Sequence, residues 1–188
     1  NIMRIAGLLL AAGAGTRFGG CKQLALIEGK PLVRHTLETL SLVFNDQPYI
    51  VLGANREDVR PVVEDIAQVI DHSGWQQGLG SSIACGVREI VGLEKFDGIL
   101  VSLADQLWLT SGHFDQLIEQ FQGDRIVAAY YSASPGVPAI FPATMFEQLK
   151  QLNTDRGAKS LLMDMQREIV TIPMQTAAMD IDTRKDLE

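Results

Sequence analysis

Residues 4–22 read RIAGLLLAAGAGTRFGGCK. An apolar run leads straight into a glycine-rich segment that carries two cations, Arg17 and Lys22. Glycine lets backbone N–H groups turn toward an anion with no Cβ in the way, and the two cations neutralise the charge of a polyphosphate. The sequence therefore predicts a strand followed by a nucleotide-binding loop. An ordinary strand-to-helix turn is the alternative, but such a turn has no use for two converging cations.

Two better-known glycine motifs do not fit this segment. A P-loop requires Gly-Lys followed by Ser or Thr, whereas residues 20–23 read Gly-Cys-Lys-Gln. A dinucleotide-binding fingerprint requires a third glycine where Phe18 stands. It also requires an acid at the end of the second strand, where residues 53–55 read Gly-Ala-Asn. We therefore expect neither a Walker-type NTPase nor an enzyme that uses NAD or FAD.

Apolar runs alternate with amphipathic segments along the chain, which is typical of a parallel sheet with helices on both faces. We expect an α/β fold with one doubly wound, mostly parallel, Rossmann-like sheet in a single domain over residues 1–188, with a small antiparallel excursion near residues 125–142. The predicted strands are residues 4–11, 49–53, 69–71, 98–103, 126–131, 139–141 and 169–172. The predicted helices are residues 31–40, 56–66 (capped by Asn55), 81–91, 111–121 (capped by Thr110), 143–152 and 158–165.

The charge of the chain limits its partners. The formal net charge of −7 argues against binding to duplex nucleic acid or to an anionic membrane, because such surfaces are bound through many exposed lysines and arginines. No apolar run approaches the roughly 20 residues of a membrane span, and no secretory apolar region precedes Gly7. We therefore expect a cytoplasmic protein without a nucleic-acid or membrane partner, in which Cys21 and Cys85 remain thiols.

Acidic residues at strand ends are the candidate metal ligands. Asp105 follows the most apolar internal strand, and burial of an acid there is costly unless a cation accompanies it, which predicts a Mg²⁺ ligand. A helix N-cap for a segment starting near Leu107 is the alternative. Asp180 and Asp182 share one face of a predicted strand, because side chains alternate along a strand, and one of them would complete the metal site. For Asp180, a solvated position or support of the ligands is the alternative.

Six blocks, in order along nearly the whole chain, resemble one family. Residues 10–22, with the pattern L-A-A-G-x-G-x-R-x-G-x-x-K, are similar to the signature of nucleotidyltransferases related to the molybdenum-cofactor guanylyl- and cytidylyltransferases. The other blocks are residues 75–83, 103–106, 136–141, 154–159 and 180–187. Each block is weak by itself, but six in register are specific.

The resemblance implies a role for each matched residue. It implies nucleotidyl transfer with Mg²⁺ held by Asp105 and Asp182, and with Arg17 and Lys22 as the catalytic cations. The nucleotide would be bound by Leu10, Ala11, Ala12, Gly13, Gly15, Lys22 and Ser81. The acceptor would be bound by Gly80, Ser82, Pro138, Asp155 and Gly157, with Lys159 also lining its side of the site. Residues 78–82 are expected to begin a helix whose N–H groups and hydroxyls hold a phosphate, and an N-cap without a ligand is the alternative.

The base and the acceptor follow from the same resemblance. Ala12 is typical of cytidylyl members, whereas guanylyl members usually carry glycine there, so CTP is favoured over another NTP. The expected reaction joins CMP to the phosphate of molybdenum–molybdopterin, a molybdopterin-type acceptor, with a client molybdoenzyme as a further partner. Guanylyl transfer to the same acceptor, nucleotidyl transfer to a sugar or alditol phosphate, and a non-catalytic carrier of the cofactor are the alternatives. Leu107 replaces the family's usual proline, so the loop beside the metal is expected to differ.

Overall fold

The chain folds into an open sheet with helices packed against it. The computed structural model describes residues 2–153, 155, 157–164 and 168–188. Its strands are β1 (Ile5–Ala11), β2 (Leu26–Ile27), β3 (Lys30–Pro31), β4 (Tyr49–Leu52), β5 (Gln68–Asp71), β6 (Gly98–Leu103), β7 (Val127–Tyr131), β8 (Ser134–Pro142) and β9 (Val170–Pro173). Its helices are α1 (Leu32–Ser41), α2 (Arg56–Val63), α3 (Leu79–Leu93), α4 (Ser111–Gln120), α5 (Phe146–Leu149) and α6 (Lys159–Asp164). Thr154 and Arg156 of the fifth resembling block, and the predicted helix end at Met165, lie outside the described residues.

Seven strands form one sheet in the order β5-β4-β1-β6-β8-β7-β9. β5, β4, β1 and β6 run parallel, β8 is antiparallel to both of its neighbours, and β9 is parallel to β7. The mostly parallel sheet and its antiparallel excursion are thus confirmed, and a separate antiparallel pair is formed by β2 and β3. The chain runs outward from β1 to β4 and β5 and returns to the other side of β1 with β6. Ligands bind at such a reversal of strand order, beyond the carboxyl ends of the strands.

Strand β1 explains why helices cover both faces of the sheet. Its side chains alternate between two apolar cores. Leu8 and Leu10 pack in the core that contains α3, α5 and α6, whereas Leu9 and Ala11 pack in the core that contains α1, α2 and α4. The doubly wound arrangement is therefore confirmed. None of the helices in the described part of the chain combines the length and the apolar character that crossing a bilayer requires.

The predicted starts of α2 and α4 are correct, whereas α1, α3, α5 and α6 begin one to three residues away from theirs. α1 begins at Leu32, because Pro31 pairs with Leu26 in the β2–β3 hairpin. Asn55 precedes α2 with a left-handed backbone, and its side chain makes no capping hydrogen bond. Thr110 caps α4 as predicted. Pattern alone therefore located the helices, and local hydrogen bonding set their first residues.

The acidic segment at residues 180–182 is not a strand, contrary to the prediction. Short 3₁₀ turns at Gln175–Ala178 and Arg184–Leu187 lie on either side of it. The N–H of Ile181 donates to the carbonyl of Asp105 at 3.0 Å, and the Ile181 side chain is buried in a cluster with Phe18. Residues 175–187, which we call the C-terminal segment, therefore lie against the end of β6 and the glycine-rich loop instead of adding to the sheet.

Candidate active site

The glycine-rich loop, residues 12–22, follows the carboxyl end of β1. Gly15 has a φ angle of 62°, which residues with a Cβ rarely adopt. The side-chain amide of the buried Gln23 donates to the carbonyls of Ala11 and Gly13 at 3.3 and 3.1 Å. The base of the loop is thus held by a glutamine that the sequence analysis noted only because it is not a Walker serine or threonine.

Lys22 and Asp105 meet in the crevice between β1 and β6. Nζ of Lys22 lies 3.2 Å from Oδ2 of Asp105, and the two side chains are 12% and 20% exposed. Burial raises the pKa of Asp105, and the positive charge of Lys22 opposes that rise. Oδ1 of Asp105 is buried and has no hydrogen-bond partner among the residues that the structure describes. The N-cap alternative for Asp105 is wrong, because the next helix, α4, begins only at Ser111.

Asp180 and Asp182 form an acidic cluster with Asp105. One carboxylate oxygen from each of the three residues lies within 4.8 Å of the other two. Asp182 also pairs with Arg17, with 3.1 Å between Oδ2 and Nη1. The N–H of Asp182 donates to the Asp186 carboxylate at 2.9 Å, which fixes the turn that presents Asp182. The sequence analysis required one of Asp180 and Asp182, whereas the structure brings both to Asp105.

The acidic cluster suits a hard divalent cation. Carboxylate oxygens are the ligands that Mg²⁺ and Mn²⁺ prefer in proteins. A buried carboxylate oxygen without a partner is costly, and a cation bound at Oδ1 of Asp105 would remove that cost. The negative charges of Asp180 and Asp182 also help to raise the pKa of Asp105. In the described part of the chain, Asp105, Asp180 and Asp182 are the residues that could hold a metal.

A cavity of about 240 Å³ opens beside the Lys22–Asp105 pair, and we call it the loop cavity. Its walls come from the glycine-rich loop, the start of α3 and the end of β6. The predicted nucleotide-binding residues in these walls are Leu10, Ala11, Ala12, Gly13, Gly15 and Lys22. Trp75, Leu79 and Leu103 add apolar surface. The walls of the cavity therefore combine apolar side chains with the cation of Lys22 and the backbone of the glycine-rich loop.

Ser81 and Ser82 occupy different environments at the start of α3. The Ser82 side chain lines the loop cavity. The hydroxyl of Ser81 donates instead to the carbonyl of Gly78 at 2.7 Å and lies 2.9 Å from Nε2 of His72. Gly80 lines neither of the two cavities described here. The structure thus puts Ser82, predicted for the acceptor, beside the predicted nucleotide residues, while the Ser81 hydroxyl is used in local structure.

A second cavity of about 190 Å³ lies along the β7–β8 hairpin, and we call it the hairpin cavity. Leu10, Leu79 and Leu103 line both cavities, so the two adjoin. The hydroxyl of Tyr131, in the hairpin wall, donates to the carbonyl of Val137 at 2.7 Å. Burial raises the pKa of Tyr131 to about 12, with a further contribution from the negative charges of the acidic cluster. The negative charges of the acidic cluster therefore act on a side chain in the wall of the hairpin cavity.

Of the predicted acceptor residues from the later blocks, Lys159 lines the hairpin cavity, whereas Pro138, Asp155 and Gly157 line neither cavity. Pro138 follows two residues that line the hairpin cavity but is not part of its wall. Asp155 packs closely against Gly78, because a Cβ added to Gly78 would lie 2.6 Å from the Cα of Asp155. Gly157 packs closely against Leu79, because a Cβ added to Gly157 would lie 2.8 Å from Cδ2 of Leu79. These two residues support the start of α3, and a binding role for them and for Pro138 stays a prediction.

Gln106 is a buried residue that matched a family block but received no role in the sequence analysis. Its side chain is hydrogen-bonded to the carbonyls of Val137 and Ala177, both at 3.0 Å. The only available signal was a polar residue directly after a buried strand-end acid. In the sequence, the carboxylate of Asp105 indicates a metal ligand, whereas the neighbouring amide of Gln106 indicates no particular chemistry.

A family comparison identifies the domain. A family model described as "MobA-like NTP transferase domain" matches residues 7–169. The chain belongs to this family. The match runs from within β1 to the approach to β9, so Asp180 and Asp182 of this MobA-like protein lie beyond the matched residues.

Relatives of this MobA-like domain carry different names. Nicotine blue oxidoreductase from Paenarthrobacter nicotinovorans is 31% identical over 192 residues, which cover 95% of this chain and 92% of that protein. The bifunctional protein GlmU from Corynebacterium diphtheriae is 36% identical over 102 residues, which cover 50% of this chain. The chain spans only 20% of the length of that GlmU.

Solved structures share the fold of the MobA-like domain. Rv0371c from Mycobacterium tuberculosis H37Rv has a TM-score of 0.86 at 24% identity, over 99% of this chain and 96% of that chain. A complex of Rv0371c with manganese has a TM-score of 0.78 at 23% identity, over 97% and 95% of the two chains. Molybdopterin-guanine dinucleotide biosynthesis protein A from Archaeoglobus fulgidus has a TM-score of 0.72 at 18% identity, over 97% and 94%.

Proposed function

We propose that this nucleotidyltransferase of the MobA-like family transfers CMP from CTP to the phosphate of molybdenum–molybdopterin and releases pyrophosphate. The observation that carries the proposal is the Lys22–Asp105 pair in the wall of the loop cavity, which adjoins the hairpin cavity. A phosphate-binding loop on one side and a second cavity across a shared wall support transfer of a group between two bound molecules.

The proposed reaction needs no side-chain nucleophile. An oxygen of the acceptor phosphate forms a bond to the α-phosphorus of CTP, and the bond from that phosphorus to the oxygen bridging toward the β-phosphate breaks. The electron pair of the broken bond leaves with pyrophosphate. The second pKa of a phosphate monoester is about 6, so the acceptor is largely ionised at neutral pH and a general base is not required. Lys22 and Arg17 would neutralise the phosphates and hold them in line.

A divalent metal, Mg²⁺ in our proposal, would be held by Asp105, Asp182 and Asp180. When bound, such an ion neutralises the charge that develops on the phosphate oxygens. The donor set and the unsatisfied Oδ1 of Asp105 support a metal there. The manganese complex of Rv0371c is consistent with a divalent ion in this fold.

The choice of CTP rests on Ala12. This residue lines the loop cavity, and its carbonyl accepts a hydrogen bond from the N–H of Ala54 at 3.0 Å, which fixes its position. A methyl group where guanylyl members have glycine would take up space at the wall of the cavity, and this supports a pyrimidine over a purine.

The proposal is tested by measuring pyrophosphate release with CTP, GTP and ATP, in the presence of molybdenum–molybdopterin and either Mg²⁺ or Mn²⁺. We expect CTP to be the preferred donor. Use of GTP alone would reject the cytidylyl assignment and leave guanylyl transfer. Release with a sugar or alditol phosphate, and none with the pterin acceptor, would reject the proposed acceptor.

A non-catalytic carrier of the molybdenum cofactor is distinguished by Asp105→Ala. We propose a cytoplasmic enzyme that supplies a client molybdoenzyme, so this variant should lose transfer and fail to mature the client. Normal maturation by Asp105→Ala would favour the carrier.

A redox reaction is a second candidate, because the relative that matches 95% of the chain is named nicotine blue oxidoreductase. Phe18 in place of the third glycine of a dinucleotide fingerprint argues against a nicotinamide or flavin cofactor. Oxidation of NADH or NADPH by the purified chain with an organic dye, without pyrophosphate release from any NTP, would favour this candidate.

A further inference from the structure

Gln106 uses both ends of its side-chain amide. Nε2 donates to the carbonyls of Val137 and Ala177, each at 3.0 Å. Oε1 accepts from the N–H of Leu103 at 3.2 Å. Gln106 is 3% exposed, so these bonds are made away from water. The side chain is therefore a fixed bridge between three segments of backbone.

The three bridged segments carry different parts of the site. Leu103 ends β6 two residues before Asp105, Val137 lies in the wall of the hairpin cavity, and Ala177 belongs to the C-terminal segment. Two contacts hold the acidic part of that segment from either side. Ala177 is bound by the Gln106 side chain, and Ile181 is bound by the backbone carbonyl of Asp105 at 3.0 Å. Asp180 lies between these two anchored residues.

The hairpin side of the bridge is also fixed. The carbonyl of Val137 accepts from Gln106 and from the hydroxyl of Tyr131. Tyr131 lines the hairpin cavity, so its hydroxyl ties the carbonyl of Val137 to the wall of that cavity. One buried amide therefore links the wall of that cavity to the backbone that presents the acids.

Only a glutamine provides this combination of groups. A primary amide has two N–H donors and a carbonyl acceptor at one end of a flexible stem. A glutamate would direct carboxylate oxygens at two carbonyls. An apolar side chain would take these partners from the carbonyl of Ala177 and the N–H of Leu103, which is costly, and would leave the carbonyl of Val137 with only the Tyr131 hydroxyl.

We infer that Gln106 is a positioning residue that sets the distance between the acidic cluster and the hairpin cavity. By setting this distance, Gln106 aligns the acceptor with the nucleotide, and this part of the inference rests on the proposed function. The effect of Gln106 on the position of the acidic cluster is independent of that function. Gln106 touches neither cavity that would hold a substrate. It acts through Ala177 and Val137.

The test uses the full chain and the variant Gln106→Met, which keeps the approximate size and removes the hydrogen bonds. Ser41→Ala is the control, because it removes a side-chain hydrogen bond within α1, from Ser41 to the carbonyl of Leu37 at 2.8 Å, and Ser41 lines neither of the two substrate cavities. Three quantities are measured: Mn²⁺ affinity without nucleotide, amide hydrogen exchange, and the kcat and KM of transfer.

For Gln106→Met we expect Mn²⁺ affinity and kcat to fall by about tenfold or more, as is typical when a group that orients metal ligands is removed. The KM for CTP should stay within about twofold, because the loop cavity is untouched. Exchange should become faster at Gly136 and Val137 and in residues 177–182, and change little elsewhere. Ser41→Ala should leave all three quantities close to those of the wild type.

Wild-type Mn²⁺ affinity and kcat in a folded Gln106→Met overturn the inference, even if its melting temperature falls, because the role is then structural. Unchanged exchange in both segments also overturns it. Should Gln106→Met not fold, Gln106→Glu, which keeps an acceptor for the N–H of Leu103, is measured against the same criteria. If the wild type binds Mn²⁺ but transfers no nucleotide, the proposed function fails, and the metal and exchange data still decide on Gln106. If the wild type binds no Mn²⁺, the inference fails together with the metal site.

Discussion

Nζ of Lys22 and Oδ2 of Asp105 lie 3.2 Å apart, although 83 residues separate them in the sequence. The pair connects the glycine-rich loop after β1 to the end of β6, at the reversal of strand order. The attraction between the two charges offsets the cost of removing each from water, so removal of one leaves an uncompensated charge in the crevice. A triphosphate and a divalent cation would approach the protein at this pair.

Replacement of Lys22 by methionine should lower kcat/KM for transfer by about 100-fold or more, because a cation aimed at developing phosphate charge contributes on that scale. Lys30→Met is the matched control, since Lys30 pairs with Glu38 at 2.6 Å away from both substrate cavities. The control should retain activity within about twofold, as expected for a surface pair. Steady-state kinetics with CTP measures both variants, and equal losses would contradict a special role for Lys22.

Mn²⁺ should raise the melting temperature of the wild-type protein and not that of Asp105→Asn. A ligand that binds only the folded state stabilises it by about 2.7 kcal/mol at a hundred times its dissociation constant. Asp115→Asn, at an exposed position on α4, is the control and should keep the full shift. Thermal unfolding with and without Mn²⁺ is the measurement. A shift that survives in Asp105→Asn would place the metal elsewhere.

The two adjacent serines of α3 should respond differently to removal of the hydroxyl. Ser82→Ala should raise the KM for CTP several-fold, because Ser82 lines the loop cavity. Ser81→Ala should leave that KM unchanged and lower the stability by about 1 kcal/mol, the usual effect of losing a buried hydrogen bond. Kinetics and urea unfolding of both variants check this. A larger KM effect in Ser81→Ala would restore the original prediction from the sequence.

The stability of the protein should fall in mild acid through His72. Burial, and to a lesser degree the positive charge of Arg88, lowers the pKa of His72. The ring is thus harder to protonate in the folded chain than in the unfolded chain, where its pKa is about 6.5. The associated stability is present in full above that pH and is lost as the pH falls below it toward the folded-state pKa. Urea unfolding should show a steeper loss from about pH 6.5 to pH 5 in the wild type than in His72→Gln. Parallel profiles would count against this assignment.

Much of the sheet was predictable because its signal is local. Strand β1 is an unbroken apolar run, β6 matches its predicted bounds of residues 98–103, and the helices between strands carry an apolar face. Asp105 was predictable for the same reason, since an acid at the end of a buried strand is conspicuous in the sequence.

The remaining parts of the site depend on contacts between distant residues. The roles of Ser81 and Ser82 depend on the phase of α3, which begins at Leu79, two residues before the predicted start. A change of one residue rotates a helical side chain by about 100°. Two partners of Gln106, the carbonyls of Val137 and Ala177, lie 31 and 71 residues away along the chain, so no local sequence pattern could reveal them.

The acidic cluster draws on both a central strand end and the C-terminal segment. A ribosome that has released everything up to β9 has therefore made the walls of the loop cavity and one aspartate, but not Asp180 or Asp182. The crevice is thus encoded ahead of two of its three carboxylates, so the divalent ion that we propose would find all its ligands only after synthesis of the chain has passed Asp182.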